Sequence, residues 1–217
     1  MINWKKKCIF ARVPKTGSSS IMYGIHGDHT KRFRKWAATI RGKQGWININ
    51  WIQNKHQFDL NHIPLPYIKD AVNPERYKNF FKFSFVRNPW LRVHSQYRFT
   101  KLSGEYWTKD YADLNFSEFV HRLDDPSALW YSKTRWTQAF YCQGADFVGR
   151  FENLQEDYEK MLSMHDRFKN AKKRLRHVNR QFGPRTHWMN DYTEELMRIV
   201  EKKYEEDIDI FKYSRPG

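Results

Sequence analysis

The sequence predicts an α/β fold, a single domain over residues 1–217 with a central, mostly parallel sheet flanked by helices. Three stretches carry that expectation. Cys8-Ile9-Phe10-Ala11 is a short apolar run followed by a small-residue loop and then by Ile21-Met22-Tyr23, in the order strand, loop, helix. Residues 80–86 form an aromatic-rich run that ends in Arg87-Asn88-Pro89. Residues 145–151 form a third apolar run, with a helical stretch behind it. Strands that alternate with helices build parallel sheets, because each crossover must return the chain to the same edge.

The elements follow in order. The first strand, Cys8–Ala11, leads into the loop Arg12-Val13-Pro14-Lys15-Thr16-Gly17-Ser18-Ser19-Ser20, and a helix opens at Ile21. Residues 24–57 mix Gly, His, Trp and basic residues without a period, so loops are expected there, with one helix near 31–40. An extended stretch over 58–63 ends at Pro64, which starts a short helix. After the 80–86 strand, Asn88 is placed as an N-cap and Pro89 as the first helical residue, and Trp90, Val93, His94 and Tyr97 then recur at helical spacing. A helix is expected over 152–164. Asp191, with Glu194 three residues on, reads as a capping box for a last helix whose buried face is Leu196, Ile199, Val200 and Tyr204. No repeat, low-complexity tract or linker divides the chain.

Composition narrows the function classes. Lys plus Arg is 39 against 24 Asp plus Glu, a net charge of +15, which concentrates anions of any kind near the surface. At 40% hydrophobic residues the chain is too apolar for disorder, and no run approaches the roughly 18 apolar residues of a membrane span. No signal-peptide pattern follows Met1, so a cytoplasmic protein of bacterial or viral rather than Golgi type is expected, without stable membrane insertion. Cys8 and Cys142 are too few for a disulfide framework or a four-cysteine zinc site and are expected as buried thiols.

Two segments carry chemistry. In Pro14-Lys15-Thr16-Gly17-Ser18-Ser19-Ser20, Gly17 lets backbone N–H groups approach an anion, the hydroxyls donate, Lys15 adds charge, and a helix N-terminus follows. Alone, the segment is equally a polar strand-to-helix turn. The Walker A order is absent, because Lys15 precedes Gly17, and the aromatic strand ends in Arg87 where a kinase needs a magnesium-binding carboxylate. In the second segment Asn88 and Ser95 lie seven residues apart on one helix face, so Arg87 and Ser95 can converge on a single phosphate.

Together these segments resemble the P-loop sulfotransferases, in particular the carbohydrate branch of the heparan 2-O and chondroitin 4-O type. Pro14-Lys15-Thr16-Gly17-Ser18-Ser19-Ser20 is similar to the family's 5′-phosphosulfate loop, and Phe85-Val86-Arg87-Asn88-Pro89, continuing through Arg92 to Ser95-Gln96-Tyr97, is similar to its 3′-phosphate motif. Further matches are 148–154 with Asp157, and Tyr204, Asp207 and Phe211-Lys212-Tyr213 near the end. Family members often carry Gly where this chain has Ser18.

The resemblance implies the donor 3′-phosphoadenosine 5′-phosphosulfate, the product adenosine 3′,5′-bisphosphate, and a hydroxylated acceptor of glycan type, with no metal and no nucleic-acid partner. It assigns Lys15, Thr16, Gly17, Ser18, Ser19 and Ser20 to the 5′-phosphosulfate, and Arg87 and Ser95 to the 3′-phosphate. Lys15 would also stabilise the leaving phosphate. His62 takes the general-base role by its place between the two motifs, with His56 as second choice. His26 and His29 are closely spaced but lack a third metal ligand, and His94 is expected to be a packed structural residue. Arg174, Arg176, His177, Asn179 and Arg180 read either as a solvated face or as a basic lid, and Glu152 and Asp157 as structural partners of core arginines. A nucleotide kinase and a basic nucleic-acid-binding module are the competing readings.

Overall fold

The computed structural model describes residues 1–3, 6–26, 62–102, 113–128, 134–176 and 187–216. In chain order these residues form β1 (Ile2–Asn3), β2 (Cys8–Ala11), α1 (Ser18–His26), α2 (Leu65–Ala71), α3 (Pro74–Asn79), β3 (Phe81–Val86) and α4 (Pro89–Leu102). Then come α5 (Phe116–His121), α6 (Gln138–Cys142), β4 (Phe147–Arg150), α7 (Leu154–Ser163), α8 (Glu194–Lys203) and α9 (Glu205–Phe211). The predicted α/β class is the one found. Among the described residues the sheet has the order β1-β2-β3-β4, with β2, β3 and β4 parallel and the short β1 antiparallel at the edge.

The sheet is apolar on both faces because helices cover both. On one side Cys8, Phe10, Phe81, Phe83 and Phe85 meet Ile21, Met22 and Ile25 of α1 and Tyr158 and Met161 of α7. Phe10 and Phe83, which are register partners, stack with centroids 4.7 Å apart. On the other side Ile9 and Ala11 meet Ile63, Leu65 and Ile68. The polar members of β3 are satisfied: Ser84 Oγ donates to the Ala11 carbonyl at 2.7 Å, and Lys82 Nζ donates to the Phe80 carbonyl at 2.7 Å and pairs with Asp146 at 2.9 Å. A second core joins Trp90 and Val93 of α4 to α5 and α8, and Trp90 Nε1 donates to the Met197 carbonyl at 3.0 Å.

Several local expectations hold. Asn88 caps α4 by accepting from the N–H groups of Trp90 (3.2 Å) and Leu91 (3.4 Å), and Pro89 is its first residue. Pro64 is the N-cap of α2, and both cysteines are buried free thiols. Other expectations are corrected. Helix α1 starts at Ser18, three residues before Ile21, because Gly17 turns the chain and its carbonyl accepts from Ser20 and Ile21 N–H at 2.9 and 3.2 Å. The strand over 145–151 is shorter, at Phe147–Arg150, and a 3-10 turn (Phe151–Asn153) precedes α7. Thr193, not Asp191, caps α8, accepting from Leu196 N–H at 3.3 Å, while Asp191 is taken by His94. The helix expected near 31–40 and most of the extended 58–63 stretch lie outside the described residues. No helix among the described residues is long and apolar enough to cross a membrane.

Gly149 is the tightest point of the parallel ladder. It is the register partner of Phe85, and a Cβ there would sit 2.7 Å from Phe85 Cδ1, on a ring that is itself fully buried. Gly149→Ala should therefore cost about 1–3 kcal/mol through overpacking. Urea unfolding is the measurement, and an unchanged midpoint would contradict the close approach.

Candidate functional site

The C-terminal ends of β2, β3 and β4 form one edge, the edge at which open α/β sheets bind ligands. From β2 the chain enters the loop ahead of α1. Lys15 (φ 67°) and Gly17 (φ 76°) are both left-handed there. Glycine takes that conformation freely, but for a lysine it costs about 1–2 kcal/mol. Thr16 Oγ1 donates to the Val13 carbonyl at 2.9 Å, and Arg87 Nη1, from the end of β3, donates to the Lys15 carbonyl at 3.1 Å. These two bonds hold the strained turn. A Cβ at Gly17 would lie 2.8 Å from Leu154 Cδ2 and 3.2 Å from Phe151 Cδ2, so the loop is pressed against the start of α7. Thr16, Ser18 and Ser20 are buried, Ser19 is half-buried, and Arg12 Nη2 donates to Ser18 Oγ at 3.4 Å. The Lys15 ammonium rests 4.1 Å from the Phe99 ring centroid on α4.

Arg87 sits at the centre of this edge with 2% of its surface exposed. Its backbone N–H donates to Gln138 Oε1 and its carbonyl accepts from Gln138 Nε2, both at 2.8 Å. The guanidinium lies 4.0 Å from the Phe151 ring centroid, and among the described residues its Nε has no hydrogen-bond partner. Burial pulls its pKa down to about 10, against a smaller upward pull from Glu152 and Tyr213. Among the described residues no carboxylate forms an ion pair with it. A buried cationic donor without a partner carries an unmet desolvation cost. Ser95, on α4, is likewise buried.

His62 joins the same edge. Its Nδ1 is 2.8 Å from the Arg12 carbonyl. A carbonyl only accepts, so Nδ1 carries the proton and Nε2 is the basic nitrogen of the neutral ring.

The late motifs close the edge. Glu152 accepts from Asn88 N–H (2.7 Å) and from the Tyr213 hydroxyl (3.1 Å), and Asp157 accepts from Arg150 N–H at 2.6 Å. These carboxylates therefore hold backbone and tyrosine groups rather than the core arginines expected. Arg150 donates to the Phe211 carbonyl and Asn88 Nδ2 to the Ser214 carbonyl at 3.3 Å, which ties the C-terminal segment across the ends of β3 and β4.

The structure thus brings Lys15, Thr16, Gly17, Ser18, Ser19, Ser20, Arg87 and His62 to one sheet edge, with Ser95 on the helix that leaves it. His94 is the packed residue expected, with Nε2 2.8 Å from Asp191 Oδ2 and its ring against Phe116 and Trp188. Arg174 and Arg176 are exposed, the latter 5.8 Å from the Tyr23 ring centroid. His29, His56, His177, Asn179, Arg180 and the His26 side chain fall outside the described residues, among which no cluster of three potential metal ligands occurs. Sequence reasoning missed Gln138 and Phe99, and it reached Phe151 only as part of the 145–151 run and the 148–154 match. Thr137, which caps α6 by accepting from Phe140 N–H at 3.2 Å, is the local signal that a helix begins at Gln138.

The parallel sheet thus gathers at its strand ends a glycine turn, a helix N-terminus and a buried guanidinium that has no ion pair among the described residues. The family model described as the sulfotransferase family matches residues 1–214, and the chain belongs to that family. An uncharacterized protein of Archaeoglobus fulgidus is 31% identical over 100 residues, 46% of this chain and 79% of its own length. No solved structure matches the chain.

His94 gives the fold a pH dependence next to the site. Burial lowers its pKa below the ordinary 6.5, outweighing the pull of Asp191. The unfolded chain then binds a proton that the folded chain refuses, so this stability is complete above about pH 6.5 and is lost as the pH falls through the lower, folded value. His94→Gln should flatten the fall in melting temperature between about pH 7 and 5. An equally steep fall in the variant would exclude His94 as its source.

Proposed function

We propose that the chain transfers the sulfuryl group of 3′-phosphoadenosine 5′-phosphosulfate to an acceptor hydroxyl, on a glycan. The observation that carries the donor is Arg87, a buried guanidinium with an open Nε beside a left-handed loop and a helix N-terminus. Two separate anion elements suit a nucleotide phosphorylated at both ends. Family membership favours sulfuryl transfer over the kinase and nucleic-acid readings. Bound in this edge, the donor supplies an activated sulfur whose bond to the bridging phosphate oxygen breaks as the acceptor oxygen attacks.

This chain's residues divide the work. Arg87 and Ser95 hold the 3′-phosphate. The N–H groups and hydroxyls of Thr16, Gly17, Ser18, Ser19 and Ser20 hold the 5′-phosphosulfate. Lys15 meets the charge that develops on the leaving phosphate. Nε2 of His62 accepts the acceptor's proton, its orientation set by the Nδ1 bond to Arg12. The sulfuryl group carries less charge than a phosphoryl group, so one protein cation suffices at the leaving oxygen.

Thermal shift tests the donor class, with adenosine 3′,5′-bisphosphate, ATP–magnesium and single-stranded DNA in parallel. Selective stabilisation by the bisphosphate is expected, and stabilisation by ATP–magnesium alone would overturn the reading. Arg87→Ala should abolish that shift and raise donor KM more than it lowers kcat, because the bond it makes persists from ground to transition state.

The catalytic roles separate in turnover. Lys15→Ala should lower kcat by about 10²-fold or more. His62→Ala should lower it by about 10²- to 10⁴-fold with bisphosphate affinity nearly intact. Near-normal turnover of the His62 variant would move the base elsewhere and leave the sulfotransferase reading in place.

A further inference from the structure

We propose that Gln138 is a positioning residue that sets the site's preference for a 3′-phosphorylated nucleotide, acting through Arg87. The proposal rests on the donor reading above. The ladder between β3 and β4 has its last register pair at Val86 and Arg150, so the backbone of Arg87 is the first of β3 beyond it. There the Gln138 amide takes the place of a neighbouring strand. Its oxygen accepts from Arg87 N–H and its nitrogen donates to Arg87 C=O, each at 2.8 Å, in the donor-and-acceptor pattern of a peptide group. One side chain thereby fixes both polar groups of the residue that aims the guanidinium.

The clamp is itself rigidly mounted. Gln138 has no exposed surface. The next residue, Ala139, donates its N–H to Asp207 Oδ1 at 2.8 Å, and Asp207 is also fully buried. Thr137 caps the same turn through Phe140 N–H. The amide is thus held from α9 while it grips the end of β3. A glutamine that served packing alone would not need both of its polar atoms on one backbone unit. Without the clamp, the Arg87 backbone relaxes and its guanidinium no longer meets a phosphate at a fixed point, whereas the loop around Gly17 loses only the Arg87 bond to the Lys15 carbonyl and keeps the Thr16 bond to Val13 and the bonds of the Gly17 carbonyl.

The test compares affinities for adenosine 3′,5′-bisphosphate and adenosine 5′-monophosphate by calorimetry. Their ratio reads the 3′-phosphate alone. Gln138→Met, of similar volume but without the amide, should shrink that ratio about 10-fold while shifting the monophosphate by about twofold at most. Gln138→Asn, one methylene short, should fall between, and it stands in if the methionine variant does not fold. In an Arg87→Ala background Gln138→Met should change the ratio no further, because the group it positions is gone. Equal weakening of both nucleotides would mean a merely structural residue and overturn the proposal, as would an unchanged ratio. A wild-type chain with no preference between the nucleotides would overturn the donor reading, and this proposal with it. A preference that survives in Gln138→Met overturns only the role of Gln138.

Discussion

Burying a guanidinium at the end of β3 costs several kcal/mol in lost hydration, and the surroundings of Arg87 are arranged around that cost. Part is recovered locally, by the Lys15 carbonyl at 3.1 Å and the face of Phe151 at 4.0 Å. Glu152 contributes from a distance, but its oxygens are already engaged by Asn88 N–H and the Tyr213 hydroxyl. Desolvation wins the balance, which is why the pKa drops to about 10 rather than rising. The folded chain therefore holds a cation whose lost hydration its described neighbours only partly replace. The neighbours that half-satisfy Arg87 come from the loop after β2 and the 3-10 turn after β4, so the same contacts that steady the charge also lock the strand ends together.

The loop after β2 shows the complementary arrangement. Lys15 is held left-handed, against its own preference, and the bond from Arg87 to its carbonyl is one of the restraints. Gly17 takes the second left-handed position and lets Leu154 and Phe151 come within contact of the backbone. Strain at Lys15 and crowding at Gly17 both fall in the turn that leads directly into the N-terminus of α1 at Ser18. A left-handed lysine marks this turn as a place where local stability is given up.

What the sequence made legible were the features written locally. The strands over 8–11 and 81–86 are short apolar runs, and Asn88-Pro89 announces α4, because caps and buried runs depend on a few consecutive residues. Lys15, Gly17 and Arg87 were legible for the same reason. Asp191 misled because its spacing to Glu194 fits a cap, yet its carboxylate is spent on His94, ninety-seven residues away in sequence. Gln138 was invisible on similar grounds: a side chain that bonds a backbone 51 residues distant leaves no local pattern. β1, α3 and α5 are two to six residues long, too short for periodicity to register. His62 had its position in the chain order as its signal, and the bond to the Arg12 carbonyl adds a tautomer that no sequence encodes.

The two cations of the site differ in how they are held, and that difference separates what each is suited to do. Arg87 is fully desolvated, anchored through its backbone and stacked on Phe151, so its charge occupies the same point whether or not chemistry proceeds. A fixed charge of that kind lowers ground and transition states alike, and suits recognition. Lys15 has its backbone fixed by strain but carries its ammonium on a flexible stem, resting 4.1 Å from the Phe99 ring centroid. A contact with an aromatic face in a partly solvated position is worth about 0.5–1 kcal/mol. Under the proposed reaction the rigid arginine sets where the donor lies, and the lysine answers charge that appears only as the bond to sulfur breaks. An arginine at position 15 would keep the charge but lose the compact, strongly hydrated head and gain a planar fork with no bidentate partner on a single bridging oxygen. The division between a guanidinium for holding and an ammonium for responding thus follows from the shape and solvation of the two groups.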